Sequence, residues 1–418
     1  MDDTTTTTPL PVPVPEPTLT PAAMITRAEV LRQTVRDEAA AAETRGYYSE
    51  ALHDAFTKAG FYRCLQPRKF GGYQFDMRTF FKVMIEISKG DPGIGWCLTL
   101  GAGHALQIAS CFDASAQARI FGPKGHFIAP YSPSGPSPDA ECVAVPGGYR
   151  VSGKWRYCSG VPYSTHFLGL APMKGAPHPG GPEKKLVTVV VPREQYEILD
   201  DWHEMFGLRG SGSNSVVIKD AVIPPDFVTD RIFASDAEGT TPGRTIHEDP
   251  LYGGLFSAFG AGELASTQVG AAWAALDAFE AHIKEAKPLM SPTMLKYQHH
   301  DWQRIFGLAL SMCNAAEAVL LRVGELYLEF AKARRFTDKE AMQLWGMEHQ
   351  AARLAWEAGY ECFRAASTQS IRDGQLMQRL FRDFATFRNN PAHQPDMTAT
   401  RIAQAYFGLP IEDFDMRN

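Results

Sequence analysis

The spacing of apolar residues along the chain changes twice, from a helical repeat to alternation and back to a helical repeat. Between about residues 26 and 121, apolar positions recur about every four residues, as at Leu31, Val35 and Ala39. That interval places apolar side chains on one face of an amphipathic helix. Residues 97–112 form a longer apolar segment, which is predicted to be a single helix. We therefore predict an N-terminal helical domain.

Between about residues 123 and 232, apolar and polar residues alternate instead. The alternating runs are separated by proline and glycine and cover residues 126–129, 141–145, 186–191 and 215–218. Alternation bounded by turn residues is typical of strands in a sheet. We predict a middle antiparallel β-domain, with residues 174–185 as a surface loop between two of its strands.

A helical repeat returns after an irregular connection at residues 236–254. Long apolar stripes, rich in alanine, run through residues 259–287, 293–334, 338–368 and 374–386. Four long helices in succession predict a four-helix bundle, and their faces are wide enough for packing between subunits. The predicted fold class is therefore α+β and mostly α, with domains at residues 26–122, 123–235 and 236–418.

The first 25 residues differ from all of these segments. Threonine fills positions 4–8, and proline follows at positions 9, 11, 13, 15, 17 and 21. Such a segment cannot bury enough apolar surface to offset the entropy of ordering it. We expect residues 1–25 to form a disordered tail.

The composition narrows the function. Of the 418 residues, 44% are hydrophobic, which is enough for two or three buried cores. The net charge of −6 argues against the basic face that nucleic-acid binding needs. We identify no apolar run that approaches the ~18 residues of a membrane span, and no signal peptide. The seven cysteines are scattered, without a C-x-x-C pair, as is typical of reduced thiols in a cytoplasmic protein.

Two glycine-rich segments carry the candidate chemistry. In the first, Gly147-Gly148 turns the chain, and a second turn at Gly153 predicts a hairpin that delivers Ser159 to a strand end. The second segment, residues 206–213, has the sequence Phe-Gly-Leu-Arg-Gly-Ser-Gly-Ser and leads into a strand. Glycine and serine cluster wherever turns are needed, so each segment alone is also compatible with an ordinary turn.

Together, these segments and the order of helices, sheet and helices resemble the acyl-CoA dehydrogenase superfamily over roughly residues 26–410. The residues that carry the resemblance are Phe70-Gly71-Gly72, Gly95-Trp96, residues 153–160, residues 207–213, Val222-Ile223-Pro224 and Arg382-Asp383. The resemblance implies an N-terminal helical domain, a β-domain that embraces a flavin, a C-terminal four-helix bundle and a homotetramer.

Two departures separate the chain from a dehydrogenase. Residues 367–374, Ser-Thr-Gln-Ser-Ile-Arg-Asp-Gly, replace a motif that contains a glycine pair in the family. No Tyr-Glu-Gly motif follows Arg382-Asp383, so abstraction of an acyl α-proton has no obvious base. The chain is more similar to the oxygenase components of two-component flavin monooxygenases, which share the fold.

That resemblance implies a reaction and its partners. Reduced flavin, FMNH2 or FADH2, is delivered by a separate NAD(P)H-flavin reductase and reacts with O2. The resulting C4a-hydroperoxide hydroxylates an aromatic, phenolic or other small hydrophobic substrate. The protein excludes water, bonds the flavin edge and supplies a base for the substrate. A separate reductase is also expected because we find no nicotinamide-binding Gly-x-Gly-x-x-Gly after a strand.

The resemblance also implies a set of flavin-binding residues. They are Trp96, Trp155, Tyr157, Ser159, Gly160, Arg209, Ser211 and Ser213. The hydroxyl of Ser159 is expected to bond the flavin ring edge, although a serine in a turn is the simpler alternative. Trp155 is expected to pack on the ring, unless it is a core residue. Arg209 and the two later serines are expected to hold the ribityl and phosphate groups.

The catalytic candidates are His393, Ser159 and His104. An unperturbed histidine pKa of ~6.5 suits His393 for deprotonating a phenol. The family often has a His-Pro pair where this chain has Asn390-Pro391, so either His393 or Asn390 occupies the catalytic position. His104 lies in an apolar helix, where a core role and a catalytic role both remain open.

Two other functions remain compatible with the sequence. An acyl-CoA dehydrogenase or oxidase would use a base such as Glu263, and a non-catalytic scaffold would have lost the flavin. We expect no metal site, because His299-His300 shows no third ligand at a useful spacing. Aromatic residues that fit either a substrate pocket or the core are Phe61, Phe112, Phe127, Tyr252 and Phe256.

Overall fold

The computed structural model describes residues 12–132, 137–174, 186–230, 241–289, 293–333, 336–390 and 395–411. Helices come first along the chain, then a sheet, then longer helices. The first group comprises α1 (Pro21–Arg45), α2 (Glu50–Ala59), α3 (Met77–Ser88), α4 (Pro92–Ala102), α5 (Ala105–Cys111) and α6 (Ala114–Phe121). This order confirms the predicted fold class, α+β and mostly α.

Helix α4 packs against α3, and its start has a clear local cause. Asp91 caps the helix by accepting a hydrogen bond from the Ile94 amide at 2.9 Å, and Pro92 occupies the first helical position. The single helix predicted for residues 97–112 is wrong, because α4 ends at Ala102 and α5 begins at Ala105. Glycine favours such a break, and the Gly101 carbonyl accepts the Ala129 amide at 3.2 Å.

The strands are β1 (Tyr131–Ser132), β2 (Glu141–Val145), β3 (Gly148–Trp155), β4 (His166–Lys174), β5 (Leu186–Pro192), β6 (Glu197–Ile198), β7 (Val216–Ile223) and β8 (Val228–Thr229). Their order is β6-β7-β3-β2-β4-β5-β8, and β1 pairs with β4. The pairs β1–β4 and β2–β4 are parallel, whereas the other pairs are antiparallel. The sheet is therefore mixed, and the purely antiparallel prediction is wrong.

Two local predictions in this region also fail. Residues 126–129 are outside the strands, and the Ile128 carbonyl oxygen accepts bonds from the Thr165 and His166 amides instead. Gly153 is not a second turn: β3 runs on to Trp155, and its register against β7 shifts between Val151 and Gly153. That shift is a bulge, which glycine permits because its φ is 147° here.

The C-terminal helices are α7 (Pro242–His247), α8 (Phe256–Glu285), α9 (His300–Ala331), α10 (Asp338–Ala365), α11 (Leu376–Arg388) and α12 (Pro395–Phe407). Helices α8 to α11 correspond to the four helices predicted for the bundle. Helix α12 was not predicted, and it packs on α10.

Residues 12–25 are ordered, so the predicted tail is too long. Val12 donates its amide N–H to the Lys69 carbonyl oxygen at 3.0 Å, and Leu19 is buried. Helix α1 begins at Pro21, with Thr20 as its cap. Proline fits the first turn of a helix and extended chain alike, so a proline-rich segment does not exclude order. Residues 1–11 lie outside the described residues, as do residues 175–185 of the predicted loop.

Helix α9 has an apolar surface that the chain itself leaves largely uncovered. Of the helices in the described residues, only α9 is long and apolar enough to cross a membrane by length and composition. The expectation that no such apolar run exists is therefore wrong by this criterion. Only 28% of its apolar window is buried, and Leu308 is among its exposed residues.

The cysteines follow the sequence prediction. All seven are buried, and none of them forms a disulfide. Burial raises the pKa of the thiols of Cys64, Cys142, Cys158 and Cys313, in the last three cases to about 12. A thiol in such a setting carries little thiolate at neutral pH.

Candidate active site

The turn after strand β3 brings Ser159 against helix α4. Tyr157 and Gly160 have left-handed backbone conformations, with φ of 57° and 84°. A Cβ atom on Gly160 would lie 2.5 Å from the Gly101 nitrogen and 2.8 Å from the Cys97 carbonyl oxygen. The positive φ and the close approach both require glycine. Gly160 therefore fixes the preceding serine at the surface of α4.

The second glycine-rich segment also reaches α4. Leu208 and Gly212 have positive φ, 53° and 57°, and flank a short 3-10 turn, Arg209–Ser211. A Cβ atom on Gly212 would lie 3.0 Å from the sulfur of Cys97. Gly212 also donates its N–H to the Gly46 carbonyl oxygen at 2.8 Å. Both glycine-rich turns thus contact the same residue of α4.

Four of the predicted flavin-binding side chains form one hydrogen-bonded chain at this contact. The indole N–H of Trp96 donates to the Ser159 hydroxyl at 2.9 Å. The Ser159 and Ser213 hydroxyls are 2.7 Å apart, and the Ser213 and Ser211 hydroxyls are also 2.7 Å apart. All four residues are buried. We call this set, Trp96, Ser159, Ser213 and Ser211, the hydroxyl chain.

The hydroxyl chain contains one more hydroxyl hydrogen than its internal hydrogen bonds use. The indole of Trp96 can only donate, so its hydrogen is used on Ser159. The two contacts between hydroxyls use two of the three hydroxyl hydrogens. One hydroxyl hydrogen is left for another acceptor. Ser159, at 8% exposed, is the most accessible of the three serines.

Trp155 does not join the hydroxyl chain. It is fully buried in the sheet, with its ring 5.2 Å from that of Phe167. Its indole N–H donates to the Leu170 carbonyl oxygen at 2.8 Å. The geometry does not support packing of Trp155 on a flavin ring, because both its faces and its donor belong to the core.

Tyr157 and Arg209 are also engaged elsewhere. Tyr157 is 56% exposed, and its ring meets that of Trp202 edge-on, with centroids 5.9 Å apart. The Arg209 Nε–H donates to the Met205 carbonyl oxygen at 2.6 Å, within its own loop. These two residues border the turns that hold the hydroxyl chain but do not contact its hydroxyls through any described hydrogen bond.

A buried acidic pair ties the second glycine-rich segment to α11. The Leu208 N–H donates to Asp383 at 2.6 Å, and Asp91 lies 3.4 Å from the Arg379 guanidinium. Burial raises the pKa of Asp383 to about 8, and the Asp91 charge adds to the rise. Burial also raises the pKa of Asp91, against the effect of Arg379. The sequence singled out Arg382-Asp383 but did not reveal this anchoring role.

The end of α11 reaches the same site. The rings of Phe387 and Trp96 have centroids 5.4 Å apart. Asn390, one candidate for the catalytic position, follows Phe387 by three residues in the chain. His393, the other candidate for the catalytic position, lies outside the described residues.

His104 belongs to a second buried group at the break between α4 and α5. Its Nδ1 lies 2.8 Å from the Ala129 carbonyl oxygen, and its Nε2 lies 3.4 Å from a carboxylate oxygen of Glu263. Glu348 completes the group and is fully buried. We call His104, Glu263 and Glu348 the acid cluster. Sequence reasoning missed Glu348, which carries no recognisable motif.

The carboxyl groups of the acid cluster are short of partners. One oxygen of Glu263 and both oxygens of Glu348 accept no hydrogen bond within the described chain. Burial raises the pKa of Glu263, opposed by His104. Burial raises the pKa of Glu348 well above the usual range, and the Glu263 charge adds to it. Burial therefore shifts both carboxyl groups toward the protonated form.

The remaining candidates are mostly structural. Four of the five aromatic pocket candidates, Phe61, Phe112, Phe127 and Tyr252, are buried within the main core. The side chain of Phe256 lies outside the described residues. The expectation that His299-His300 lacks a third ligand is wrong, since ligand atoms of His299, His300 and Asp301 lie within 4.8 Å of one another. His300 and Asp301 are exposed, and nothing else described at that helix end points to a metal.

Comparison with known families matches both ends of the chain. The model for the N-terminal domain of acyl-CoA dehydrogenase matches residues 25–118, and the model for the C-terminal domain matches residues 263–395. Together they cover more than half of the chain.

Individual relatives are named as flavin-dependent enzymes. A flavin-dependent monooxygenase, oxygenase subunit HsaA, from Rhodococcus jostii is 26% identical over 93% of this chain and 99% of its own. An FADH(2)-dependent resorcinol hydroxylase, oxygenase component, from a Rhizobium species is 30% identical over 61% of this chain and 59% of its own. The structure of XiaF from a Streptomyces species, in complex with FADH2 and glycerol, is 22% identical, with a TM-score of 0.83 over 94% of this chain and 97% of its own. The last similarity concerns the fold alone.

Proposed function

Because the chain belongs to the acyl-CoA dehydrogenase family, whose two domain models it matches, we propose that it is the oxygenase component of a two-component flavin-dependent monooxygenase. The relatives that align over most of the chain are oxygenase subunits and hydroxylases. The observation that carries the proposal is the hydroxyl chain, which offers a buried donor where both glycine-rich turns meet helix α4.

The residues present fit a reduced flavin, FMNH2 or FADH2. One edge of the flavin ring carries nitrogen and oxygen atoms. These atoms need hydrogen-bond donors and acceptors held in fixed positions away from water. Ser159 would hold the ring edge, with Trp96 and Ser213 fixing the orientation of its hydroxyl. Ser211 and Gly160 would complete the surface against which the flavin ring lies. When bound, the flavin supplies the activation of O2 that no side chain provides.

The substrate we propose is aromatic, phenolic or another small hydrophobic compound. Resorcinol hydroxylase and indole-3-acetate monooxygenase, both similar to this chain, act on aromatic rings by their names. A base beside the substrate would raise the nucleophilicity of a phenol ring by taking its proton. We propose His393 as that base, with His104 in a supporting role through the acid cluster. If Asn390 occupies the catalytic position instead, its amide would hold the substrate by a hydrogen bond, because an amide cannot take up the proton.

Two further parts of the proposal concern partners. A separate NAD(P)H-flavin reductase would supply the reduced flavin. The name oxygenase subunit implies such a partner for the relatives. We also propose a homotetramer in which the apolar surface of α9 packs between subunits. A soluble, cytoplasmic location and the domain boundaries at residues 122 and 235 complete the proposal.

A dehydrogenase would need Glu263 to reach a substrate. That carboxyl group is 3% exposed and lies against His104. A Cβ atom on Gly103 would collide with Oε2 of Glu263, so glycine is needed at position 103 to leave room for the carboxyl group. The geometry therefore favours the oxygenase over the dehydrogenase.

The test is to mix the protein anaerobically with reduced FMN or FAD, admit O2 and record the flavin absorbance. We expect a transient species before oxidised flavin, because the site excludes water. Ser159→Ala should lose it, whereas Ser152→Ala, at a half-buried position of β3 outside the hydroxyl chain, should keep it. Oxidation of flavin at the rate seen without protein would contradict the proposal and redirect the search to acyl-CoA substrates.

The catalytic position is tested separately by comparing His393→Ala with Asn390→Ala. His393→Ala should lower product formation on the order of 100-fold while leaving the transient species intact, because it removes the base. A loss in Asn390→Ala alone would assign the position to the hydrogen-bonding amide. Unchanged hydroxylation by both variants would exclude both residues.

A further inference from the structure

A small cavity lies among helices α8, α10, α11 and α12, outside the hydroxyl chain and the acid cluster. Its volume is about 60 Å³. A single buried water needs roughly 10–15 Å³ on this scale, so the cavity has room for about four or five heavy atoms. It shares no described lining residue with either of the two groups. The cavity is therefore a separate place in the fold, of a size that suits a very small ligand.

Three buried polar side chains form the inner part of the cavity. They are Gln268 of α8, His349 of α10 and Thr398 of α12. The Thr398 hydroxyl lies 3.2 Å from each ring nitrogen of His349, so these two side chains hold each other in place. The cavity thus has a polar floor to which three separate helices contribute.

Gln268 is the member of this floor that lacks an acceptor. Its side chain is buried, at 2% exposed, and its Nε2 donates no hydrogen bond within the described residues. A buried amide nitrogen without an acceptor is costly, because it has given up its hydrogen bonds to water. The two ends of an amide are nearly equal in size, so rotation of the group can bring the N–H donors to the cavity. A ligand in the cavity would supply the acceptor.

Two arginines lie at the open side of the cavity. Arg353 of α10 and Arg388 of α11 both line it and are exposed. Arg353 donates to the Gln350 side chain at 2.9 Å and to Glu357 at 2.6 Å. The Arg388 guanidinium lies over the Trp356 ring, 5.8 Å from its centroid. These contacts hold both cations at the opening.

The charges around the cavity favour an anion. Among the described residues that line it are two arginines and no aspartate or glutamate. Glu357 offsets part of the Arg353 charge from outside the lining. Glu348 precedes His349 on α10, but burial raises the pKa of its carboxyl group and shifts it toward the uncharged form. An anion in the cavity would therefore meet hydrogen-bond donors and positive charge.

An apolar wall narrows the choice of anion. Ala352, Ala399 and Ile402 line the cavity beside the polar groups. A Cβ atom on Gly346 would lie 2.8 Å from Cδ1 of Ile402, so glycine at position 346 leaves room for this side chain. Phosphate has no apolar part to place on such a wall, whereas a short carboxylic acid carries an alkyl group beside its charge. Donors, cations and apolar surface together favour a carboxylate.

We propose that this cavity is a binding site for a small organic carboxylate. The Gln268 amide donates to a carboxylate oxygen, and the charges of Arg353 and Arg388 hold the anion at the opening. The alkyl group lies against Ile402. The site does not rest on the proposed function, because none of these residues belongs to the hydroxyl chain.

The first test is an NMR titration of the protein with ¹³C-labelled acetate at constant ionic strength. We expect saturable binding with a Kd on the order of 1 mM, because a ligand of four heavy atoms makes few contacts. Acetamide has the same shape without the charge and should bind at least about 10-fold more weakly. Equal binding of acetate and acetamide, or displacement of acetate by chloride at equal concentration, would overturn the site. Tighter binding of inorganic phosphate would overturn its assignment to a carboxylate.

Arg388→Gln tests the charge at the opening, with Arg364→Gln as the matched control. Arg364 is also an exposed arginine, but it pairs with Glu361 on α10 and does not line the cavity. Arg388→Gln should weaken acetate binding about fivefold. The control should weaken it by less than about twofold, because salt screens a distant charge. Equal weakening in both variants would show an effect of net charge alone and would overturn the site.

Gln268→Met separates a binding role from a structural one. Methionine is similar in length to glutamine and removes the donor that has no acceptor. We expect acetate binding to weaken about 10-fold while the urea midpoint of the ligand-free protein stays equal or rises. Unchanged binding would exclude the amide from the site. A lower urea midpoint would show that Gln268 already has a partner in the folded protein and would overturn its role as a donor to the ligand.

Discussion

The hydroxyl chain and the acid cluster are buried to a similar degree beside the same helix, but they solve burial differently. The hydroxyl chain is uncharged, and every member bonds another member. The acid cluster consists of ionisable groups, and three carboxyl oxygens within the described chain have no hydrogen bond. Desolvation costs a neutral hydroxyl far less than a carboxylate. The first group is therefore suited to positioning a ligand, and the second to holding protons.

The strongest way to break the first group is to disturb the glycine beneath it. In Gly160→Ala the new methyl group would meet the Gly101 nitrogen at 2.5 Å, on a backbone with a φ of 84°. We expect a loss of about 3 kcal/mol in the free energy of unfolding. Urea denaturation at a fixed protein concentration measures it.

Gly147→Ala is the control for that variant. Gly147 has a φ of 85°, but nothing described lies within 4 Å of its Cβ position. It should lose only about 1 kcal/mol. Equal losses in the two variants would show that φ alone, without the contact with α4, requires glycine at position 160.

The acid cluster should reveal itself through the pH dependence of stability. The raised pKa of Glu348 means that the folded state holds its proton longer than the unfolded state does. Its stabilising contribution is complete below the unfolded pKa of ~4.3 and falls by about 1.4 kcal/mol per pH unit above it, until the folded pKa is reached. In Glu348→Gln, which resembles the protonated acid, this decline should disappear.

The control is Glu361→Gln on the same helix, where Glu361 pairs with Arg364 near the surface. Urea midpoints between pH 5 and 8 should fall with pH in the wild-type protein and the control, and much less in Glu348→Gln. If the urea midpoint declines with the same slope in all three proteins, Glu348 does not hold the proton that causes the decline.

Ser213→Ala tests the middle of the hydroxyl chain. Ser213 bonds both Ser159 and Ser211, so its loss leaves two hydroxyls with fewer partners. We expect a loss of about 1–2 kcal/mol and a shorter lifetime of the transient species. Ser152→Ala, whose hydroxyl bonds the exposed Asp220, should lose less than about 0.5 kcal/mol. Equal losses of stability in the two variants would show that the serines of the hydroxyl chain are ordinary turn residues.

Within the hydroxyl chain, the smallest effect on stability is expected at Ser159. Ser159 is the most accessible member, so water can replace part of its hydrogen bonding. We expect Ser159→Ala to lower the free energy of unfolding by less than about 1 kcal/mol. Its effect on the transient species should nevertheless be the largest in the chain. A normal lifetime would show that the spare hydrogen belongs to Ser211 or Ser213.

The sequence predicted the fold because periodicity records which face of an element is buried. The long helices of the bundle and three of the four predicted strand runs lie at about their predicted positions. The failures came from competition between local signals and tertiary contacts. Gly153 looked like a turn but is a bulge in a continuing strand, and Gly103 looked like part of a helix that in fact ends there.

The candidate site could be predicted only in part. The glycines marked the turns because positive φ leaves a trace in the sequence, and those turns brought Ser159, Ser211 and Ser213 together with Trp96. Trp155 was misplaced because a tryptophan near a turn looks alike in a core and in a pocket. Glu348 left no trace, since a buried acid within a helix has the same sequence context as an exposed one. The catalytic roles of these residues stay predictions.

The buried cysteines bear on how long such an enzyme survives its own chemistry. A flavin that reacts with O2 releases hydrogen peroxide whenever it is not used on a substrate. Peroxide attacks the thiolate form of cysteine, and the raised thiol pKa values leave little of that form available. With all seven cysteines enclosed, a protein with this fold can leak oxidant for many turnovers while its own thiols stay reduced.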